Sequence, residues 1–309
     1  MQYQAPSRRE TIICLSLWVA YYAVTGLVMG LRPEHFVFSG LFLVLFFASA
    51  YTRKMAVCMI PFILFAMAYD VMRLYPNYMV NPIDVEGIYE AEKAWFGITE
   101  GGQLMTLNEY FAQHNCAVGD FLGGIFYLCW VPAPIAFAFY LYFSGQRSLL
   151  LRFVWAFLFI NLIGFVGYYV HPAAPPWYIA EYGTQPILNT PGNVAGLIRF
   201  DNLIGMDVFQ GMYSRNANVF AAVPSLHSTY CLCAFLFALM GRQRWCVTLP
   251  LGILSMGICW TAVYTSHHYL IDVLLGVVLA ISFSLLWQYV ILRWGPLSRL
   301  LERYTSYVS

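Results

Sequence analysis

The sequence predicts an all-α, polytopic membrane protein of about eight spans, a six-helix core preceded by an N-terminal hairpin. Three observations carry this. The 309 residues are 61% hydrophobic and only 10% charged, whereas a soluble domain carries about 25% charged residues. Eight apolar stretches approach the roughly 20 residues that a helix needs to cross the hydrocarbon layer. The polar residues gather in a few connecting loops instead of alternating through the chain.

The predicted spans fall at roughly 11–31, 36–52, 55–72, 120–144, 149–170, 225–241, 246–264 and 269–292, the second and sixth being short. They divide the chain into an N-terminal tail and hairpin (1–54), a membrane core (55–292) and a C-terminal tail (293–309). Two long polar loops interrupt the core, at 73–119 and 171–224. The first contains NPIDVEGIYEAEKAWFG, which reads as an amphipathic helix lying at the interface. The second is rich in Pro, Gly and Asn and opens with HPAAPPWY.

Eight spans place both termini on one side, together with the loops near 53, 147 and 243. That side collects 11 of the 16 basic residues, from Arg8 and Arg9 through Arg53, Lys54, Arg147 and Arg152 to Arg303. Cytoplasmic loops carry such an excess, so both long loops are expected to face outward, to periplasm, exterior or lumen. No early segment joins a short apolar core to a small-residue cleavage site, and no removable signal peptide is expected. A net charge of +1 argues against a nucleic-acid partner. The eight cysteines stand singly, nearly all in apolar runs, and read as small buried hydrophobes.

Chemistry concentrates in two short stretches, AAVPSLHSTY (221–230) and YTSHHYLIDV (264–273). His268 and Asp272 are four apart, which on a helix sets them on one face. The aspartate then holds one imidazole nitrogen and leaves the other as a nucleophile. Ionisable groups in an apolar segment are costly and point to function, the alternative being a structural ion pair or a cap at the helix start near the interface. In VPSLHS, Ser225 reads as a helix N-cap with His227 in the first turn, where free backbone N–H groups attract phosphate oxygens. The 41 residues from His227 to His268 suffice for one helix across, a turn and one helix back, so the two histidines return to one membrane face. His267 would point about 100° away on the same helix.

Taken in order, PSLHS and SHHYLID resemble the second and third motifs of the type 2 phosphatidic acid phosphatase superfamily. The doubled histidine, the tyrosine after it and HPAAPPWY are more similar to the fungal-type inositol phosphorylceramide synthase branch. The resemblance covers about residues 55–292, with sharp motifs between 171 and 273. It implies that His268 attacks phosphorus to form a phosphohistidine, that Asp272 orients it, and that His227 protonates the leaving alcohol and then activates the acceptor. It also implies that Ser225 sits against the phosphate. The chain departs from the phosphatase pattern where an arginine would stand six residues before the nucleophile: that position is Ala262. HPAAPPWY likewise lacks the Lys and Arg of the first motif. A monoester dianion needs those cations more than a diester monoanion does, so the expectation is a lipid phosphotransferase that moves a phospho-alcohol head group from a phospholipid to a lipid alcohol such as ceramide. A phosphatase that uses water as acceptor is the alternative.

Arg215, ten residues before Ser225, is either a replacement cation or an ordinary loop arginine. His171, Trp177 and Tyr178 stand where the first motif falls, as site residues or as interfacial anchors. Asp70 and Arg73, three apart, either form a salt bridge or line the substrate entrance. His35 and His114 show no partner pattern and read as background. The chemistry requires no metal and no cofactor. The expected partners are the phospholipid donor, the lipid-alcohol acceptor and the bilayer. A transporter would show polar residues through the middle of several spans, and a scaffold would tolerate loss of the histidines; polar groups gathered at one face favour an enzyme.

Overall fold

The computed structural model describes residues 4–213 and 218–309. All eight apolar stretches are helical, in sixteen α-helices and one two-stranded hairpin among the described residues. The N-terminal hairpin is α1 (Arg8–Val28) and α2 (Pro33–Ala48). A capping box opens α1: Ser7 Oγ accepts from Glu10 N at 3.2 Å, and Glu10 accepts from Ser7 N at 2.7 Å. The next stretch is bent by 46° between α3 (Ala50–Cys58) and α4 (Ile60–Val71). Another bends by 48° between α7 (Ala117–Leu128) and α8 (Pro132–Phe143). Pro61 and Pro132 stand at these breaks, where a missing N–H and a ring clash end the preceding helix.

Four unbroken helices, α1, α9 (Arg147–Val170), α14 (Trp245–Tyr264) and α15 (Leu270–Tyr289, continued to Arg293 by a 3₁₀ turn), are long and apolar enough to cross a bilayer, and each bent pair supplies one more. The two stretches read as short in the sequence are α2 and α13 (Leu226–Met240), of 16 and 15 residues. At 1.5 Å per residue they span only about 24 and 22 Å, less than the ~30 Å hydrocarbon layer.

Helix α9 runs through the centre of the core with Leu150, Leu151, Phe153, Val154 and Ala156 fully buried. Helix α13 packs against α8, α9, α14 and α15. Two glycines permit close approaches to its start. A Cβ at Gly164 of α9 would fall 2.4 Å from Leu226, and one at Gly276 of α15 would fall 2.2 Å from Ser225 O and Ser228 Oγ. Both contacts press on the first turn of α13.

The basic segments share one end of the molecule. Arg53 donates to Gln4 O, Tyr304 OH to Val57 O at 2.6 Å, Gln146 to Gln243 at 2.9 Å, and Arg147 Nε to Val308 O at 3.3 Å. Residues 295–308 form α16 (Gly295–Val308), which packs on α3 and α9. The opposite end holds α5 (Glu86–Phe96), the hairpin β1 (Ile98–Glu100) and β2 (Gln103–Met105), α6 (Leu107–Gln113), α10 (Pro176–Tyr182), α11 (Ile198–Ile204) and α12 (Val208–Tyr213). The amphipathic helix read from the sequence is α5. The two long loops are stitched together there, Asp84 N–H donating to Pro172 O at 2.7 Å and Ala174 N–H to Asp84 O at 2.9 Å, and the second loop is closed on itself by Ala173 N–H to Phe220 O at 3.0 Å. Asn77 adds bonds to Tyr168 O and Phe220 O, both at 2.8 Å.

Candidate active site

The first turn of α13 brings Ser225 and His227 inward. Ser225 stands at the N-cap, as its residue type suggests, but its hydroxyl caps nothing. The Ser225 N–H donates to Asp272 O at 2.9 Å, and Ser228 Oγ donates to Ser225 O at 2.7 Å. The backbone at Ser225 is thus tied to the other motif, while its fully buried Oγ has no hydrogen-bond partner in the protein.

The doubled histidine is not on a helix, contrary to the sequence reading. Helix α14 ends at Tyr264, Ser266 turns the chain in a left-handed conformation (φ 59°), and α15 begins at Leu270. The N–H groups of His267 and His268 both donate to Ala262 O at 3.0 Å. Asn108 of α6 braces the turn through Val263 O at 2.8 Å and His268 O at 2.9 Å. Only Asp272 is helical, in the first turn of α15, where Oδ2 accepts from Tyr269 N–H at 2.9 Å. The same oxygen faces His268 Nδ1 at 3.4 Å, a looser contact. The pairing expected of a helix face therefore arises from a capping aspartate that reaches back past the helix start.

His227 Nδ1 lies 3.0 Å from His268 Nε2. Proton accounting gives this contact a direction. The carboxylate can only accept, so His268 Nδ1 carries the proton and Nε2 carries the lone pair; His227 Nδ1–H then donates to it. His227 is half-buried, with its ring 5.0 Å from Tyr127 and 4.5 Å from Trp130, centre to centre. Burial pushes the His268 imidazole down to about 4, against a weaker upward pull from the Ala222 backbone. The ring is accordingly neutral near pH 7.

His267 lies between Tyr127 and Tyr213, at ring distances of 5.2 and 4.6 Å. Its Nδ1 is 2.9 Å from Thr265 Oγ1, whose own proton goes to Thr261 O at 2.7 Å. Thr265 can therefore only accept, which puts the proton of His267 on Nδ1 and leaves Nε2 as a buried acceptor without a partner in the protein. Burial lowers its pKa well below the ordinary histidine value.

The structure thus gathers His227, His268, Asp272, Ser225 and His267. The remaining candidates have their bonds elsewhere. His171, half-exposed at the end of α9, pairs with Asp84 at 3.2 Å. Trp177 touches the histidine turn through its backbone, N–H to Ser266 O at 3.2 Å, but its indole packs with Val85, Ala174, Tyr178 and Phe220. Tyr178 is fully buried, and its hydroxyl joins Gln185 O at 3.0 Å to Ile187 N–H at 2.6 Å, a structural clamp. Asp70 pairs with Arg32, with His35 Nε2 at 3.1 Å and with Arg73 at 3.4 Å. That network joins the N-terminal hairpin to the core, the salt-bridge alternative for this pair. His35 is correspondingly not background but a buried partner of Asp70, whereas His114 sits at the surface beside Glu100. Arg215 lies outside the described residues.

Sequence reasoning passed over Tyr127, Trp130 and Tyr213, which read as ordinary aromatics of apolar segments and wall the two histidines. It also passed over Arg199 and Asp120, whose 2.6 Å ion pair, with Tyr264 OH on the same carboxylate at 2.9 Å, fixes the end of α14 just before the turn.

Residues 100–286 match the family model of the PAP2 superfamily. Over 303 residues, 98% of this chain and 99% of the other, the sequence is 50% identical to a phosphoinositol dihydroceramide synthase of Bacteroides thetaiotaomicron. It is 28% identical over 281 residues to the inositol phosphorylceramide synthase catalytic subunit of Saccharomyces cerevisiae, covering 86% of this chain and 66% of the yeast protein. An inositol phosphorylceramide synthase of Candida albicans is 31% identical over 163 residues, half of this chain and 34% of that one. No solved structure matches.

Proposed function

The chain belongs to the PAP2 superfamily, and from that premise we propose that it is a membrane phosphotransferase that moves phosphoinositol from a phospholipid to the primary hydroxyl of a ceramide-type lipid. The observation that carries the reading is the full-length, 50% identical relationship to a phosphoinositol dihydroceramide synthase. The His227–His268–Asp272 arrangement supports a two-step mechanism.

In the first step His268 Nε2 attacks the phosphodiester phosphorus, the bond from phosphorus to the diacylglycerol oxygen breaks, and His227, entering as the imidazolium, supplies that oxygen with its Nδ1 proton and is left neutral. In the second step His227 takes the proton of the acceptor hydroxyl as its oxygen attacks phosphorus, and the phosphorus–nitrogen bond to His268 breaks. Each displacement conserves charge at the histidine pair, with no ion released into the apolar surroundings. Asp272 holds His268 Nδ1–H throughout and thereby keeps the lone pair on the attacking nitrogen. Ser225 Oγ, buried and unpartnered, is a ready donor to a phosphate oxygen. Support for an outward-facing site comes from the clustering of Arg53, Lys54, Arg147, Arg242 and Arg244 at the opposite end. Residues 1–54 form the accessory hairpin on this reading, and 55–292 the catalytic core.

The test uses purified protein and phosphatidylinositol labelled in the phosphate, with and without ceramide or diacylglycerol. Label is expected in a new inositol phospholipid only when ceramide is present. Label released to water as inositol phosphate or inorganic phosphate, with no dependence on acceptor, would establish the hydrolase in its place.

A further inference from the structure

We infer that Glu92 is a positioning residue for this reaction: from surface helix α5 it holds the first two amides of α15 and, through them, the alignment of Asp272 with His268. The inference rests on the proposal that His268 is the nucleophile.

Helix α5 turns Ile88 and Glu92, four apart, into the protein, while Glu86, Glu90 and Ala94 on its other side are exposed. Glu92 itself has no exposed surface. One carboxylate oxygen accepts from Leu270 N–H at 3.0 Å and the other from Ile271 N–H at 3.1 Å. The first turn of any helix carries N–H groups with no partner inside the helix. At α15, buried at this end, two carboxylates divide them: Asp272 takes Tyr269 N–H at 2.9 Å, and Glu92 takes the next two. The positive end of the helix and these two bonds offset the burial of the carboxylate, although burial still raises its pKa.

This division leaves Asp272 only one amide to hold, so that its Oδ2 is shared between Tyr269 N–H and His268 Nδ1. Without Glu92, two buried amides would lose their acceptor, and Asp272, the other carboxylate at this helix end, would be drawn towards them and away from His268. The histidine turn has its own braces, from Asn108 to Val263 O and His268 O and from Trp177 N–H to Ser266 O. Loss of Glu92 is therefore expected to displace the helix start and not to unfold the turn.

The test compares Glu92→Gln and Glu92→Ala with wild type as full-length protein in nanodiscs, by steady-state transfer, by rapid-quench labelling of the protein with donor alone, and by thermal unfolding. Glu92→Gln keeps one acceptor oxygen and is expected to lower kcat about tenfold; Glu92→Ala is expected to lower it about a hundredfold, with KM for either lipid changed less than about threefold. The rate of protein labelling should fall by the same factors. A cap that merely stabilises would lower the melting temperature and the yield of folded protein but leave kcat per folded molecule and the labelling rate intact; that result overturns the inference. Should wild type release label only to water, the reading of the acceptor fails, yet the dependence of that release on Glu92 still decides this point.

Discussion

His227 Nδ1 and His268 Nε2 meet at 3.0 Å although 41 residues separate them in the chain. On the proposed mechanism the hydrogen bond occupies the lone pair that attacks phosphorus, so entry of the phosphate between the two rings has to break it. That exchange hands the His227 proton from a nitrogen acceptor to the oxygen of the leaving group.

Substitution of either ring removes one partner of the exchange. His268→Ala and His227→Ala are each expected to lower turnover of labelled phospholipid at least about a hundredfold. Asp272→Asn should do nearly as much, because an amide no longer dictates which nitrogen of His268 bears the proton. Near-normal rates in either histidine variant would remove the mechanism.

The depressed pKa of His268 gives a pH dependence with a definite sign. Burial disfavours the imidazolium, so the fraction of neutral nucleophile is lost only as pH falls through about 4, not through the ordinary histidine value of 6.5. The acid limb of kcat/KM for the phospholipid donor should therefore lie below about pH 5. A limb midpoint between 6 and 7 would show that the ring titrates as though solvated.

Ser225 separates substrate binding from folding. Its hydroxyl bonds nothing in the protein, so Ser225→Ala leaves no group unpaired in the fold and the melting temperature should stay the same or rise slightly. A hydrogen bond to a charged phosphate oxygen contributes about 1.5–3 kcal/mol. Transfer efficiency should accordingly fall by roughly ten- to a hundredfold. An active Ser225→Ala enzyme would place the phosphate elsewhere.

Gly276 controls how closely α15 seats on the first turn of α13. A methyl group there would lie 2.2 Å from Ser225 O and Ser228 Oγ. Gly276→Ala must part the helices and is expected to cost about 1–3 kcal/mol in stability. The Ser225 N–H bond to Asp272 O, 2.9 Å long, spans the same seam, so turnover should fall together with the melting temperature. Retention of both would mean that the seam yields without consequence.

The all-helical membrane class, the eight apolar stretches, the amphipathic α5 and the gathering of basic loops at one end were all legible in the residues before any packing was known. These depend on the local length of apolar runs and on the parity of crossings, which short windows of sequence carry. His227, His268 and Asp272 were legible for a similar reason: charge in an apolar segment is rare, and two helices with a turn return the chain to the face it left. Tertiary structure alone decided the partners. The hairpin placed one histidine against the other, the left-handed turn at Ser266 took His268 off the helix, and Asp272 found it by reaching back as a cap. Asp70 went to a neighbouring helix, and His35, unremarkable in sequence, became its buried partner. Glu92, one acid among several in a polar loop, lies 178 residues from the amide it holds. A hydrogen bond depends on distance and direction in space, and no local pattern encodes a partner that the folded chain brings from so far away.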